Sequence, residues 1–572
     1  MNMTALIENP LERDESGVWV RPDAKPFAYT DGLESEAYLA KVLGEAGDLS
    51  TGSAELAAKI KDWPSEYHLS PARAQLLKGF NYEPSHRVLE VGCGCGAITR
   101  FLGETFDDVV AIEGSLARAR LARLRTKDLE HVTIVNSPFE ELRFKTRFDV
   151  IFCIGVFEYA SHFVEGVNPH EKILEYFDNL LNPGGVLVLA IENKLGLKYF
   201  CSSAEDHTGV MFDGIEGYPR YRKKAKTFGK AELTARLAPR FPRIDFYYPW
   251  PDYKIPSCLI SHELIELVNV AELVGSFRST DYGNRGRRPL FSEALAWHEI
   301  AANGLLPSLA HSFLIVAGKS DRPVVELGSL GLLYSRQRRA EFTTTTRFEK
   351  HPGSGVRTIK RRLAGDSRYT EGNLLHRECT DDWIEAPSLQ HQMERRARAH
   401  DMDFAGIVEP SRVWFDELQR SAIQDDEPRV PGDRLDSIWR NCFVVDDLCL
   451  FIDQEWVWTK HLPLWLVAAR GLYYFAQGLR DAPGLNSRIA RMRVGELIVA
   501  AAEVYGLKLD DSQLGELARF EAAFLDQVTG QSGRARLNDV LAVLGRRIGP
   551  SGSRAGDISE RGIRWLKRKL AR

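Results

Sequence analysis

Blocks of apolar and polar residues alternate regularly through the first half of the chain. Between residues 87 and 192, short apolar runs rich in β-branched residues are separated by amphipathic stretches such as AITRFLGETF and EKILEYFDNLLN. Apolar strands that alternate with helices are typical of a parallel sheet covered by helices on both faces. The pattern therefore predicts a doubly wound, mostly parallel α/β domain, closed by two later strands in RIDFYYP and HSFLIVAGK.

Changes in this pattern predict the domain boundaries. Residues 1–25 are polar and unpatterned, which predicts a mobile N-terminus. The α/β domain is expected over 26–320, with a mostly helical insertion at about 252–310 that would form a lid or a substrate wall. The remaining predicted segments are a second folded core over 330–485, C-terminal helices over 486–548, and a linker with a basic amphipathic tail over 549–572.

Composition narrows the class of protein. The 572 residues exceed what one hydrophobic core usually supports, so two folded domains are expected. A net charge of -4 gives no reason to expect nucleic acid as a partner. The chain shows no secretory signal pattern and no apolar run of about 18 residues, which predicts a cytoplasmic protein. Its eight cysteines form no Cys-x-x-Cys pair, which favours reduced thiols.

A glycine-rich turn, VLEVGCGCGAITRFL, joins a buried strand to a helix in the first domain. Gly92, Gly94 and Gly96 permit positive φ angles and let a ligand approach the backbone. Glu113 ends the next predicted strand and could bind the hydroxyls of a ribose. The letters Gly92-x-Gly94-x-x-Ala97 also satisfy a dinucleotide fingerprint, so the loop by itself leaves more than one cofactor open.

Three further features favour one cofactor. Glu90 precedes the loop by two residues, LNPGGVLVLAIEN follows at the expected distance, and NSPFEEL follows the third strand. Together they resemble class I S-adenosylmethionine (SAM)-dependent methyltransferases over roughly residues 60–320, which implies a Rossmann-like fold and SAM as cofactor. The contacts that the resemblance implies are Glu90, Gly92, Gly94 and Gly96 at the methionine end, Glu113 on the ribose, Ser137 and Phe139 near the adenine, and Gly155 by the transferred methyl.

The methyl acceptor is harder to predict. No Asp/Asn-Pro-Pro-Tyr and no Pro-Cys motif follows the fourth strand, which argues against nucleic-acid bases and favours an oxygen acceptor. A sugar hydroxyl would need a general base such as Glu158 or His162, whereas a phosphate monoester is already anionic and needs only cations for positioning. The candidate acceptor-binding residues, which could equally form a solvated charged loop, are Tyr159, Lys194, Lys198, His207, Arg220 and Arg222.

The segment LDSIWRNCFVVDDLCLFIDQEW, in the second half, has the spacing of a kinase catalytic loop. Kinases require a base for the acceptor hydroxyl and two oxygen ligands for magnesium. Asp436, Asn441 and Asp453 reproduce that spacing, with CFVVDDLCLFID as a hairpin turning at Asp446-Asp447. Lys360, in GVRTIKRRL after the HPGSG turn, could reach the α- and β-phosphates of ATP.

The second half therefore resembles protein-kinase-like and small-molecule kinases, which implies an α+β bilobal domain that binds ATP and Mg²⁺. It departs from them at four points. Arg434 replaces the usual His, the third motif is Asp-Gln-Glu rather than Asp-Phe-Gly, the glycine loop is short, and no helical Glu partner for Lys360 is evident. A kinase-like fold without catalysis is thus the alternative.

The combination resembles the bifunctional kinase/methyltransferases that terminate bacterial O-antigen polysaccharides, over residues 26 to about 480. This resemblance implies phosphorylation of a terminal sugar, methylation of the product, and a glycan or lipid-linked polysaccharide as substrate. The alternatives are a sugar O-methyltransferase with a non-catalytic kinase-like module and a scaffold that recruits glycosyltransferases. In the tail, Ile563, Leu566 and Leu570 fall on one helical face, which suits either peripheral membrane contact or a solvated helix.

Overall fold

The computed structural model describes residues 3–23, 32–164, 166–220, 225–279, 288–321, 325–335, 337–353, 355–423, 426–530 and 533–549. Its strands are β1 Glu12–Arg13, β2 Trp19–Val20, β3 Phe80–Asn81, β4 Arg87–Val91, β5 Asp108–Glu113, β6 Val132–Asn136, β7 Phe148–Ile154, β8 Leu181–Glu192, β9 Arg243–Trp250, β10 Cys258–Ser261, β11 Ser312–Gly318, β12 Glu326–Leu327, β13 Gly331–Tyr334, β14 Thr344–His351, β15 Gly355–Arg362, β16 Arg368–Glu371, β17 Leu374–Arg377, β18 Cys379–Asp382, β19 Arg429–Val430, β20 Cys442–Val445, β21 Leu448–Phe451, β22 Trp456–Trp458 and β23 Leu462–Pro463.

The α-helices are α1 Met3–Leu6, α2 Leu33–Glu45, α3 Ala54–Ala57, α4 Trp63–Leu69, α5 Ala97–Thr105, α6 Leu116–Arg125, α7 Ala160–Phe163, α8 Pro169–Leu180, α9 Leu197–Phe200, α10 Lys230–Leu237, α11 His262–Leu267, α12 Ala271–Gly275, α13 Glu293–Ala302, α14 Leu306–Leu309, α15 Leu389–Arg396, α16 Phe404–Val408, α17 Arg412–Arg420, α18 Leu464–Gly478, α19 Ser487–Arg491, α20 Val494–Val504, α21 Asp511–Thr529 and α22 Gly533–Gly545. None of the helices in these described residues is both long and apolar enough to cross a bilayer.

The described residues fall into two compact units. The first takes its members from 1–266, 277–287 and 303–332, and the second from 267–276, 288–302 and 333–572. The chain therefore passes between the units several times rather than once.

The first unit is built on a sheet with the strand order β1-β2-β6-β5-β4-β7-β8-β11-β9-β10. Strands β2, β6, β5, β4, β7 and β8 run parallel to one another. Strands β11, β9 and β10 are added antiparallel at the other side of β8. Because four consecutive residues of β4, Val88–Val91, are all buried, the sheet is covered on both faces. The predicted doubly wound fold and both closing strands are confirmed.

The N-terminal segment differs from the mobile chain that the sequence predicts. Strand β2 pairs in parallel with β6 at the edge of the sheet, and Val18 is fully buried. The carboxylate of Asp14 stabilises the preceding turn by accepting hydrogen bonds from the backbone N–H groups of Ser16 and Val18, each at 3.0 Å. Two short strands were too brief to show a period-2 pattern in the sequence.

The sequence predicts that the insertion at 252–310 forms a lid or a substrate wall of the first domain. In the structure, parts of this segment belong to the second unit instead. Helices α12 and α13 belong to the second unit. Glu272 of α12 accepts hydrogen bonds from the backbone N–H and the hydroxyl of Ser388, the first at 2.9 Å. The imidazole of His298 in α13 stacks on that of His391, with ring centroids 3.5 Å apart. These contacts join positions about ninety or more residues apart, which local patterning does not reveal.

The second unit combines several antiparallel hairpins with a helical core. Strands β14 and β15 pair as predicted on either side of the HPGSG turn, and β18 pairs with β15. Strands β20 and β21 form the predicted hairpin, in which Asp446 and Asp447 have φ of 49° and 59°. Positive φ at both central residues is the requirement of a type I′ turn, so this part of the prediction is confirmed. The tail residues Ile563, Leu566 and Leu570 lie outside the described residues, as does Arg222.

Candidate functional site

A cavity of about 280 Å³ opens at the carboxyl ends of the parallel strands of the first unit. Strands β4, β5, β6, β7 and β8 all end at this edge, so their last residues and the turns that follow them converge. Of the residues predicted to bind the cofactor, those that line the cavity are Glu90, Gly92, Gly94, Glu113, Ser137, Phe139 and Gly155.

The glycine turn takes the conformation that its sequence predicts. Gly92 and Gly94 have φ of 74° and 56°. A Cβ atom at Gly92 would lie 2.4 Å from Cγ2 of Val156, so only glycine fits there without rearrangement. The backbone N–H of Gly94 donates to Oε2 of Glu113 at 2.8 Å, which fixes that carboxylate beside the turn. Gly96 instead caps α5 and is not among the residues that line the cavity.

Glu90 carries an unusual electrostatic environment. Its side chain is buried, and its Oε2 accepts no hydrogen bond from the described residues. Burial raises the pKa of Glu90 to about 7, against the opposing influence of the Thr99 hydroxyl and the Arg73 guanidinium. A buried carboxylate oxygen without a donor fits the ammonium group of the methionine moiety of SAM, which supplies both a donor and the missing positive charge.

Arg73 is a lining residue that the sequence does not predict. Its guanidinium donates to the carbonyl oxygens of Tyr253 and Lys254 at 3.0 and 3.1 Å and to the hydroxyl of Tyr67 at 2.9 Å. A buried cation at this end of the cavity suits the carboxylate of the same methionine moiety. When bound, SAM supplies an electrophilic methyl group on sulfur, and the residues of this chain hold and orient it.

The other end of the cavity holds a buried charged network. Glu158 and His207 both line the cavity, and Glu192, the last residue of β8, lies within reach of both. Nε2 of His207 is 3.3 Å from Oε2 of Glu192, and Nδ1 of His207 is 3.1 Å from the hydroxyl of Tyr159. Lys254 donates to Oε1 of Glu192 and, at 2.8 Å, to Asp206.

Burial and neighbouring charges shift the ionisation of these groups. Burial, together with the nearby Glu192 carboxylate, raises the pKa of Glu158 to about 8. Burial alone would lower the pKa of His207, but the Glu192 carboxylate outweighs it and raises that pKa to about 9. Burial would raise the pKa of Glu192, but Lys254 and His207 hold it well below its ordinary value.

The structure separates the other predicted acceptor residues from the cavity. His162 is exposed and does not belong to the lining, because its short helix turns it outward. The remaining cations have internal carboxylate partners: Lys198 pairs with Asp206 at 3.0 Å, Lys194 with Glu232 at 2.7 Å, and Arg220 with Asp213 at 3.1 Å. Tyr159 and His207 thus remain the predicted acceptor residues that line the cavity.

Three residues of this network, Glu192, Lys254 and Asp206, are absent from the sequence prediction. A signal existed for the first, since Glu192 directly follows an apolar run, as Glu90 and Glu113 also do. A carboxylate in that position needs a partner, and Lys254 provides it from a segment 62 residues further along.

The second unit brings together the residues predicted to bind ATP and Mg²⁺. Lys360 on β15 contacts the carboxylate of Asp453 and lies 3.0 Å from Oε1 of Glu455. Glu455 also accepts from Arg338, at 2.8 and 2.9 Å, and lies 3.0 Å from Nε2 of His376. The sequence shows no helical Glu that could pair with Lys360. In the structure Glu455, which is not on a helix, pairs with this lysine.

Asp436 and Asn441 lie side by side in the predicted catalytic loop. The Asn441 amide donates to Oδ2 of Asp436 at 3.0 Å, and Arg470 donates to Oδ1 at 3.1 Å. Gln454 donates to the backbone carbonyl of Asp436 at 3.1 Å, which links this loop to the segment containing Asp453. Two carboxylates and a side-chain amide are hard oxygen donors of the kind that Mg²⁺ prefers.

Comparison with known proteins adds independent information on the first unit. Residues 89–187 match a family model described as a methyltransferase domain. The cyclopropane-fatty-acyl-phospholipid synthase of Escherichia coli K12 is 27% identical over 132 residues, covering 22% of this chain and 32% of that enzyme. The ubiquinone biosynthesis O-methyltransferase of Paraburkholderia phymatum is 25% identical over 180 residues, covering 30% of this chain and 73% of that enzyme.

Solved structures also resemble this unit. The N-methyltransferase NodS of Bradyrhizobium japonicum, in complex with S-adenosyl-L-homocysteine, is 19% identical with a TM-score of 0.20, covering 28% of this chain and 74% of that one. The chain spans about a third of the length of the E. coli synthase.

Proposed function

We propose that the protein modifies the end of a bacterial surface polysaccharide in two steps. The starting point is the class I SAM-dependent methyltransferase domain that this chain contains. The second unit phosphorylates a terminal sugar hydroxyl with ATP. The first unit then methylates an oxygen of the product with SAM. The match of residues 89–187 to a methyltransferase domain supports methyl transfer, and the second unit alone supports phosphotransfer.

One observation carries the phosphotransfer half. Four residues predicted from the sequence, Lys360, Asp436, Asn441 and Asp453, form two contacting pairs in the structure, and Gln454 connects them. A lysine held by Asp453 and Glu455 suits the α- and β-phosphates, while Asn441 and Asp453 offer oxygen ligands for Mg²⁺. The oxygen of the sugar hydroxyl would then attack the γ-phosphorus and ADP would leave. Asp436 would accept the proton of that hydroxyl.

The methyl-transfer half follows from the cavity of the first unit. The glycine turn and Glu113 hold SAM, and the acceptor oxygen enters beside Glu158, Tyr159 and His207. That oxygen attacks the methyl carbon, the bond from carbon to sulfur breaks, and S-adenosylhomocysteine leaves. A phosphate oxygen has no proton to lose, whereas a sugar hydroxyl would give its proton to Glu158.

The segment after Asp453 supports a small acceptor. Strand β22 begins at Trp456 and α18 begins at Leu464, so few residues are available for a loop that would bind a protein substrate. We place the reaction in the cytoplasm or at the inner face of the membrane, with a glycan or lipid-linked polysaccharide as substrate and a glycosyltransferase as partner.

A synthetic oligosaccharide incubated with ATP, Mg²⁺ and SAM, separately and together, tests the proposal by mass spectrometry. Asp436→Asn should abolish the mass gain of one phosphate while SAM binding is kept. Asp433→Asn is the matched control, because Asp433 lies on the same loop but is exposed. Phosphate incorporation that survives Asp436→Asn would contradict the kinase assignment.

A second candidate is a sugar O-methyltransferase whose second unit only binds the glycan. Its support is that Asn441 and Asp436, like Lys360 and Asp453, bind each other directly in the structure. In this case the oligosaccharide gains a methyl group without ATP, and Asp436→Asn leaves methylation unchanged.

A further inference from the structure

The acceptor end of the first cavity contains a cluster that the proposed methyl transfer does not fully use. Glu158, Glu192 and His207 each offer one ligand atom, and these atoms all lie within 4.8 Å of one another. They come from three separate segments: the turn after β7, the end of β8, and the loop after α9. We infer that Glu158, Glu192 and His207 bind a divalent cation of the Mn²⁺ to Zn²⁺ series beside the methyl acceptor.

The spacing of the ligand atoms supports a shared ion. Nε2 of His207 and Oε2 of Glu192 are 3.3 Å apart. A buried charge-assisted hydrogen bond between such groups is typically about 2.7–2.9 Å long. Two ligands that each lie about 2.1 Å from one metal ion are separated by roughly 3.0–3.4 Å in octahedral or tetrahedral geometry. The distance between these two atoms falls within that range.

An unpartnered oxygen supplies independent support. The side chain of Glu158 is 1% exposed and lines the cavity. Its Oε2 accepts no hydrogen bond from any of the described residues. Buried carboxylate oxygens almost always have a hydrogen-bond donor or a cation as partner. A metal ion at this point would satisfy this atom and the two others together.

The surrounding residues fix the ligands in place. The Tyr159 hydroxyl lies 3.1 Å from Nδ1 of His207, which leaves Nε2 directed at Glu192. The Glu205 carboxylate accepts from the backbone N–H groups of His207 and Thr208, at 2.9 and 2.6 Å. Lys254 contacts the other oxygen of Glu192. Metal-binding histidines and carboxylates usually have such second partners, which orient them and raise metal affinity.

The ligand set indicates the kind of ion and its use. Two carboxylates and one imidazole suit Mn²⁺ or Zn²⁺ better than Mg²⁺ or Ca²⁺, which prefer all-oxygen sites. Three protein ligands leave at least one position open, and two of the ligands, Glu158 and His207, line the cavity. The acceptor oxygen would take that position. With the ion bound, Glu158 would serve as its ligand, in place of the free base that a sugar hydroxyl requires in the proposed function.

Electron paramagnetic resonance of Mn²⁺ tests the inference on the full chain without nucleotide. Because Asn441 and Asp453 would offer a second site, every measurement uses the Asp453→Asn chain. We expect one bound Mn²⁺ per chain, with nitrogen modulation from an imidazole in the spin echo. Glu158→Gln and His207→Gln should each weaken Mn²⁺ binding by more than about tenfold, and His207→Gln should remove the nitrogen signal.

Matched controls separate ion binding from folding. Glu140→Gln changes another carboxyl group of the same cavity outside the cluster, and it should leave Mn²⁺ affinity unchanged. SAM binding by calorimetry reports whether each variant is folded. The inference is overturned if the parent chain binds no Mn²⁺. It is also overturned if the chain binds Mn²⁺ without nitrogen modulation, because His207 is then only a protonated ion-pair partner of Glu192. Competition by Zn²⁺ ranks the two ions. Ion binding requires neither ATP nor turnover, so its failure leaves the proposed function intact.

Discussion

The substitution Glu90→Gln tests the cofactor site at a buried carboxyl group whose pKa is raised. The Gln side chain keeps the size of Glu90 but removes its charge, and Glu90 is only 3% exposed. Its unpartnered oxygen is expected to bind the SAM ammonium group, and a hydrogen bond to a charged group contributes about 1.5–3 kcal/mol. We therefore expect the dissociation constant for SAM to rise by about 10- to 150-fold at pH 7.5.

The pH dependence of this effect follows from the raised pKa of Glu90, which is about 7. Only the ionised carboxylate binds an ammonium group, and its fraction falls from roughly three quarters at pH 7.5 to about a tenth at pH 6. The native protein should thus lose about eightfold in SAM affinity over this range through Glu90, whereas Glu90→Gln should not. The amino group of SAM also titrates near pH 8, so the ratio of the two dissociation constants is the quantity to compare.

Isothermal titration calorimetry with SAM at both pH values measures that ratio. Glu140→Gln, a change at another carboxyl group of the same cavity, is the control for removing one negative charge. A ratio that stays constant between pH 6 and 7.5 would show that Glu90 does not bind the amino group. Equal affinities of the native protein and Glu90→Gln at pH 7.5 would refute the assignment altogether.

Two further predictions concern stability. Gly96→Ala places a Cβ atom 2.8 Å from Cα of Ala122 at a φ of 84°, whereas Gly209→Ala has a φ of 70° and open space around it. In urea denaturation, Gly96→Ala should lower the free energy of unfolding by at least about 1 kcal/mol more than Gly209→Ala does. Equal losses would mean that the close contact with the backbone of Ala122 is unimportant. Glu455→Gln removes a buried charge with several cationic partners and should destabilise the second unit by about 3–5 kcal/mol. Glu341→Gln, which loses an exposed pair, should cost less than about 1 kcal/mol; similar losses for both would contradict this account.

The parts of the fold that could be predicted from sequence are those determined locally. Apolar strands between β4 and β8 are each followed by a turn or helix, so the parallel sheet and the edge that binds ligands follow from short segments. Glu90 and Glu113 were predicted because a carboxylate at the end of a buried strand is visible in the sequence itself. The hairpin at Asp446-Asp447 belongs to the same class, since its turn chemistry involves adjacent residues.

The missed features depend on contacts between distant positions. Arg73 contacts the backbone about 180 residues later, and Lys254 contacts Glu192 across 62 positions. Glu455 was read as a departure from a familiar motif, because its partnership with Lys360 spans 95 positions. Spacing within a motif predicts which residues are chemically competent, but it does not predict which charged groups neutralise each other.

The assignment of α12 and α13 to the second unit bears on any attempt to study the two units apart. Both helices precede the last strand of the first sheet in the sequence. A single cleavage anywhere between residues 267 and 333 therefore leaves one of the two fragments without part of the core of its unit. A fragment that begins near residue 330 would lack the carboxylate of Glu272 and leave Ser388 without its acceptor. Separating the two halves by truncation should therefore yield poorly soluble pieces, and point substitutions are the sounder way to silence either half.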